Sequence, residues 1–264
     1  MVKSYKQLKY YELVKRLAAT GFKLKYQGSF FGYLWSLMKP LFLFMVLYVV
    51  FTVIFKLGKA IPNYPIYLLI GITLWGFFAE TTSMCMGSIV ASGDLIRKVY
   101  FPRIILPIAT SLTSFLTFIL NLVVIFGFMA YAHIPITIDI LWLPLILIEF
   151  YVFTLGVSLF LSSLYVRFRD IGPIWEVACQ ALFYATPIIY APNLVPIKYL
   201  KILMLSPLAQ IFQAARASIL PSEVITSSTV LGKYWMLPLI IVIITFIVGY
   251  ITFVKTSAKF AEEV

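Results

Sequence analysis

Apolar residues fall into six long runs, at about 37–55, 66–91, 104–132, 141–164, 173–191 and 236–254. Each is continuous rather than alternating, so the pattern is helical and not that of barrel strands. At about 1.5 Å of rise per residue, some 20 residues cross a hydrocarbon core of roughly 30 Å, and each run is that long or nearly so. Lipid offers no partner to a backbone amide, which leaves helices as the structure these runs can adopt. The pattern predicts an all-α membrane protein with six transmembrane helices.

The polar segments sort the chain further. In residues 1–36, Tyr10, Leu13, Val14, Leu17 and Ala18 recur at helical spacing, with Glu12 and Arg16 paired on another face. This segment is expected to be an amphipathic helix lying on the inner membrane surface and ending near Gly21. Pro40 is placed near the start of the first span, where a missing N–H costs little. Residues 92–103 and 165–173 are short, basic connections. Residues 192–235 form one long outer segment. Its apolar stretch 202–220 contains Pro207, Gln210, Gln213 and Arg216, which argue against full exposure to lipid. A re-entrant helical hairpin before the last span fits better. The division is therefore 1–36 as a cytoplasmic interface segment and 37–264 as one six-helix transmembrane domain, with 192–235 as its outer gate segment.

Charge fixes the orientation. Hydrophobic residues make up 62% of the chain and charged residues 12%, and the formal net charge is +11. So basic a chain suggests nucleic acid, but the distribution argues otherwise. Of the 21 Lys and Arg, all but Lys56, Lys59, Lys198, Lys201, Arg216 and Lys233 lie in segments that face one side. This is the positive-inside signature, with both termini cytoplasmic and no nucleic-acid partner. The first apolar run begins only near residue 37, so no cleavable signal peptide is read. Cys85 and Cys179 lie singly inside spans and have no metal or disulfide spacing.

Signs of enzymatic chemistry are sparse. The chain has no G-x-x-x-x-G-K-[ST] phosphate loop and no H-E-x-x-H, and its single histidine is His133 at an outer span end. Asp94, Asp139 and Asp170 are scattered over both sides, unlike the grouped carboxylates that hold a divalent metal. Polar groups inside the spans are the next candidates: Glu80, Glu149, Glu176 and Gln180. A charge at the bilayer centre costs about 2.5–3.5 kcal/mol on insertion scales, so these residues face protein or a water-filled path. They either line a conduit or proton site, or clamp helices by hydrogen bonds. No Lys or Arg falls inside a span to pair with Glu80 or Glu149. Aromatics supply 17% of the residues. Tyr48 and Phe51 descend one side of the first span, and Trp175, Phe183, Tyr184 and Tyr190 occupy the fifth, which Pro187 is placed to kink. Their planes can pack the C–H faces of sugars, or simply pack lipid and core.

The stretch Gly28-Ser29-Phe30-Phe31-Gly32-Tyr33-Leu34-Trp35-Ser36-Leu37-Met38-Lys39-Pro40 resembles the entry to the first span in the membrane subunits of type 2 ABC exporters. These exporters move lipid-linked polysaccharides such as O-antigen, and teichoic acids. Phe31 stands where that family usually has Leu. The inner segment Leu95-Ile96-Arg97-Lys98-Val99-Tyr100-Phe101-Pro102-Arg103 is similar to the family's coupling segment, and Val166-Arg167-Phe168-Arg169-Asp170-Ile171 to its second inner loop. Thr186-Pro187-Ile188-Ile189-Tyr190 and Ser206-Pro207-Leu208-Ala209 also fit.

The resemblance implies a homodimer around a central conduit in the bacterial inner membrane, with two separate ATP-binding subunits docked on the cytoplasmic side. The chain itself would bind no cofactor or metal and would not be an enzyme, since ATP and Mg would belong to the partner. The expected cargo is a glycan on undecaprenyl diphosphate. Tyr33, Trp35, Tyr48, Phe51, Trp175, Phe183, Tyr184 and Tyr190 are the expected substrate path. Asp94, Leu95, Ile96, Arg97 and Lys98 are the expected coupling surface. Arg97, Lys98 and Arg103 suit an acidic partner, a lipid diphosphate or anionic membrane lipid alike. A teichoic acid, drug or small-lipid exporter of the same class is the near rival, and a proton-coupled carrier the distant one.

Overall fold

The computed structural model describes residues 2–28, 31, 32, 34–56, 61–220 and 224–263. These residues form helices and connections, with no strand among them. The helices are α1 (Val2–Tyr26), α2 (Leu34–Val49, prolonged by a π turn Val50–Ile54), α3 (Tyr64–Ala91), α4 (Gly93–Lys98), α5 (Ile105–Tyr131), α6 (Leu143–Arg167), α7 (Ile171–Ala185), α8 (Ile197–Leu205), α9 (Pro207–Ile219), α10 (Ser227–Leu231), α11 (Leu237–Ser257) and α12 (Phe260–Glu263).

Five apolar helices are long enough to cross a membrane: α2 with its π turn, α3, α5, α6 with the preceding 3-10 turn Ile138–Trp142, and α11. They coincide with five of the six runs. The expected fifth span, 173–191, differs, because its helix stops at Ala185. The cause is local. Pro187 disfavours the α conformation at the residue before it, and Thr186 turns extended (φ −86°, ψ 141°). Fifteen residues reach only roughly 22 Å. In the segment expected to be a re-entrant hairpin, the helices α8 and α9 meet at a 93° bend at Ser206. Pro40 lies inside α2 rather than in its first turn, because the helix starts at Leu34.

The most buried span is α3, which packs against α2, α5, α6, α7 and α9. Around its outer two-thirds, Phe77, Phe78, Phe118, Phe150 and Phe212 interlock, Phe77 lying 4.8 Å from Phe118 and Phe150 standing at 89° to Phe212. A second cluster, at the end of the spans expected to be inner, joins Ile89, Ile96, Phe101, Leu106, Val166, Phe253 and Phe260. The predicted apolar face of α1 packs here through Tyr10, Leu13, Val14 and Leu17, and Ala18 is buried. The helix therefore lies against protein by the face expected to meet lipid, and its far end continues inward along α5.

The most extensive helix contact is α6 with α11. Lipid tails are as apolar as leucine, so close backbone approach rather than hydrophobic exclusion holds such pairs. Gly156 and Gly249 permit it: a Cβ on Gly249 would stand 2.1 Å from the Gly156 carbonyl oxygen.

Candidate functional site

The broken end of α7 is held by a polar latch near the N-terminal end of α3. After Ala185 the chain runs unwound through Thr186–Tyr190, with Thr186 to Ile189 buried. Non-helical backbone at membrane depth must have its carbonyls met from elsewhere. Four successive carbonyls each accept a side-chain donor. Arg216 Nη1 donates to Pro187 (2.5 Å) and Nη2 to Ile188 (2.7 Å). Tyr64 donates to Ile189 (3.0 Å) and Tyr67 to Tyr190 (3.2 Å). Arg216 also donates through Nε to the Tyr67 carbonyl (3.1 Å), and its guanidinium carbon stands 3.5 Å from the Tyr67 ring centre. Gln213 donates to the Tyr67 hydroxyl (3.1 Å). Arg216 is wholly buried, and space for it exists because residue 71 is glycine: a Cβ there would lie 2.3 Å from Nη2. Tyr190 in turn donates to the carbonyls of Tyr184 and Ala185, which α7 leaves unpaired at its end.

The eight expected path aromatics divide. Tyr33 lies outside the described residues. Trp35 is exposed on α2, stacked on Phe31 at 6.0 Å and edge-on to Phe42. Tyr48 and Phe51 are half-buried, Tyr48 against Phe44 and Phe51 against Phe55. On α7, Trp175 and Phe183 turn inward: the Trp175 indole donates to Thr82 (3.1 Å), and Phe183 stands edge-on to Trp75. Tyr184 points away, 69% exposed, and Tyr190 is half-buried in the latch. Glu176 and Gln180 share the exposed face of α7 with Ile174, Val177 and Tyr184. One helix thus packs its large rings inward and leaves a carboxylate, an amide and a phenol outside.

The remaining intramembrane acids are placed differently. Glu149, half-buried on α6, faces Gln210 of α9, and one oxygen of each is buried with no hydrogen-bond partner. Glu80 pairs with a base, contrary to expectation: the Lys25 ammonium at the end of α1 bonds its carboxylate and lies 3.5 Å from the Thr117 hydroxyl of α5. Sequence order hid this, since Lys25 was placed at the membrane surface. The signal that could have found it is Glu80 itself, a mid-span carboxylate that must find a partner.

At the inner end, α4 is anchored by Ile96, buried in the inner cluster, with Leu95 half-buried. Asp94, Arg97 and Lys98 are exposed, and the connection to α5 projects Tyr100 at 98% exposure. Arg97, Lys98 and Arg103 rim a cavity of about 620 Å³ that is closed on another side by Ser257 and Ala258.

Residues 12–220 match the family model described as ABC-2 type transporter. The chain belongs to the ABC-2 type transporter family. Two proteins of Klebsiella pneumoniae, each named O-antigen export system permease protein RfbA, are 30% identical to it over 253 residues, which is 96% of this chain and 95% of each relative. A protein of the same name from Myxococcus xanthus is 30% identical over 209 residues, 78% of this chain and 79% of that one.

Within this ABC-2 type transporter, the matched region runs from the middle of α1 to just past the end of α9. It contains Lys25 and Glu80, the α4 projection, the exposed face of α7 and the whole Arg216 latch. The α11 span, which mainly packs on α6, lies beyond it. The exporter resemblance was legible at the level of family. The latch was not: Arg216 reads in sequence only as a reason to keep 202–220 out of lipid.

Proposed function

We propose that this chain is the membrane-spanning subunit of an ATP-driven exporter that moves a lipid-linked, O-antigen-like glycan across the bacterial inner membrane, with both termini cytoplasmic. Two copies enclose the path, and two separate ATP-binding subunits, which hold ATP and Mg, dock beneath. The observation that carries the reading is the near full-length similarity to permeases named for O-antigen export.

The geometry supports it at three places. A membrane helix with Glu176, Gln180 and Tyr184 on its open face is poorly matched to lipid. A second copy across a hydrated path satisfies that face, and a symmetric pair is the common solution. Tyr184 and, on α2, Trp35 offer rings for weak, repeated contact with sugars that slide past. The α4 projection, fixed by Ile96 and carrying exposed Asp94, Arg97 and Lys98, suits a partner from below.

The test is genetic and biochemical. A strain lacking the chain is expected to hold its lipid-linked glycan at the cytoplasmic leaflet and to show none on the surface. Restoring the chain together with its ATP-binding subunit returns surface glycan, and a subunit unable to hydrolyse ATP does not. Normal surface glycan without the chain would end the proposal.

A further inference from the structure

The Lys25–Glu80 ion pair stands at an unusual depth. Glu80 stands eleven residues from the inner end of α3 at Ala91, which is about 16 Å along the helix. The end of a basic N-terminal helix therefore reaches halfway into the spans. Two further contacts seat it there. The Thr113 hydroxyl donates to the Ala18 carbonyl (3.1 Å), and Gly21 faces Thr113 so closely that a Cβ would lie 3.2 Å from that hydroxyl. The two side chains are 21% and 33% exposed, so the pair is sheltered but not sealed.

We infer that Lys25 and Glu80 form a joint that fixes the depth and rotation of α1 and passes its movement to α3. The functional half of this inference rests on the export reading above; the structural half does not. Buried ion pairs are poor adhesives, and apolar residues of like volume often hold helices as well or better. What a paired charge adds is a single permitted register. Sliding or turning α1 would strand a carboxylate and an ammonium at mid-membrane, whereas a leucine face would tolerate the slip. The exposed cationic residues Lys15, Arg16 and Lys23 lie earlier on the same helix, on the side where ATP-binding subunits would act. A displacement received there arrives at Glu80, on the most buried of the spans. Lys25 and Glu80 are positioning residues, since neither is argued to touch cargo.

The experiment is charge reversal with two separate readouts, on the chain in native membranes together with its ATP-binding subunit. Gly21→Cys and Thr113→Cys, with Cys85 and Cys179 changed to Ala, report the seat of α1 by disulfide formation. Lys25→Glu or Glu80→Lys is expected to slow cross-linking by about tenfold, the factor one interhelical polar contact supplies. The double variant K25E/E80K restores it. Surface glycan follows the same order, lost in each single variant and recovered in the double. Should a reversed charge prevent insertion, Lys25→Met and Glu80→Gln are measured instead, with the same expected loss of cross-linking. Unchanged cross-linking in the single variants, or no recovery in a double variant present at normal membrane levels, overturns the joint. Recovery of cross-linking in a system that moves no glycan leaves the joint standing and removes the export reading.

Discussion

Replacing Arg216 by Met tests whether the outer latch is needed to hold the broken end of α7. The substitution keeps much of the volume and removes every donor. Of the three carbonyls that Arg216 bonds, that of Tyr67 remains within the α3 ladder and loses only a second partner. Those of Pro187 and Ile188 lie in unwound backbone and are left without the donor described for them. A buried polar group stripped of its partner costs about 1–3 kcal/mol, so two cost about 2–6 and centre on about 4 kcal/mol. The lost contact with the Tyr67 ring adds up to about 2 kcal/mol, and relief from burying a guanidinium returns about 4. The expected net destabilisation is about 2 kcal/mol. By the scaling for domains of this size, thermal unfolding in detergent should fall by roughly 4–8 °C. Arg216→Lys, which keeps a charge but not the fork, should fall about half as far. Gly71→Ala should also destabilise, because its Cβ takes the place of Nη2 and stands 3.0 Å from the Ile188 carbonyl oxygen, and should add less once Arg216 is Met. A melting temperature for Arg216→Met within about 2 °C of the parent, or full additivity with Gly71→Ala, would refute the reasoning.

Three other substitutions probe separate parts. Gly249→Leu drives a side chain into the backbone of α6 and should cost well over the roughly 1–3 kcal/mol of ordinary overpacking, read as loss of folded protein by size exclusion; normal yield and melting would show that the crossing can open freely. Arg97→Glu with Lys98→Glu reverses the exposed charge on α4 and should reduce co-purification of the ATP-binding subunit about tenfold or more, with melting unchanged; undiminished capture would remove α4 as the dock. Tyr184→Ala should lower surface glycan while melting temperature and assembly stay the same, because the ring is 69% exposed, whereas Trp175→Ala should chiefly destabilise by loss of the Thr82 bond and core packing. Equal effects of the two on melting would undo the distinction between the faces of α7.

Helix identity was legible because hydropathy is a local property that lipid enforces. Five runs became five membrane-length helices, and Pro207 marked the break between α8 and α9. The fifth run misled for a reason equally physical: hydropathy reports that Thr186–Tyr190 is buried, not what satisfies its backbone. Thr186 to Ile189 are out of water, as a buried helix would be, but they are unwound, and the donors that permit this come from α3 and α9, over a hundred residues away for Tyr64. The inward packing of Trp175 and Phe183 was hidden on similar grounds. Both sides of α7 carry aromatics, and only the packing of α3 shows which side is spent on the core. Lys25 was misplaced because a surface helix and one that leans inward share the same amphipathic spacing.

These misses converge on α3. Glu80 holds α1 from below, and thirteen residues farther out, roughly 20 Å along the same helix, Tyr67 meets Arg216 and the end of α7. A helix packed on most sides shifts more readily as a rod than by bending, because interlocked cores yield little to deformation. On the joint inferred above, movement of α1 would reach the segment that carries Tyr184 and Tyr190 without any extended wire of contacts. Polar bonds stand at one end of the helix and near its middle, and the stretch between them is aromatic packing that supplies stiffness. The sequence of α3 mirrors this division, with Tyr64, Tyr67 and Gly71 near one end, Glu80 towards the other, and Trp75, Phe77 and Phe78 between.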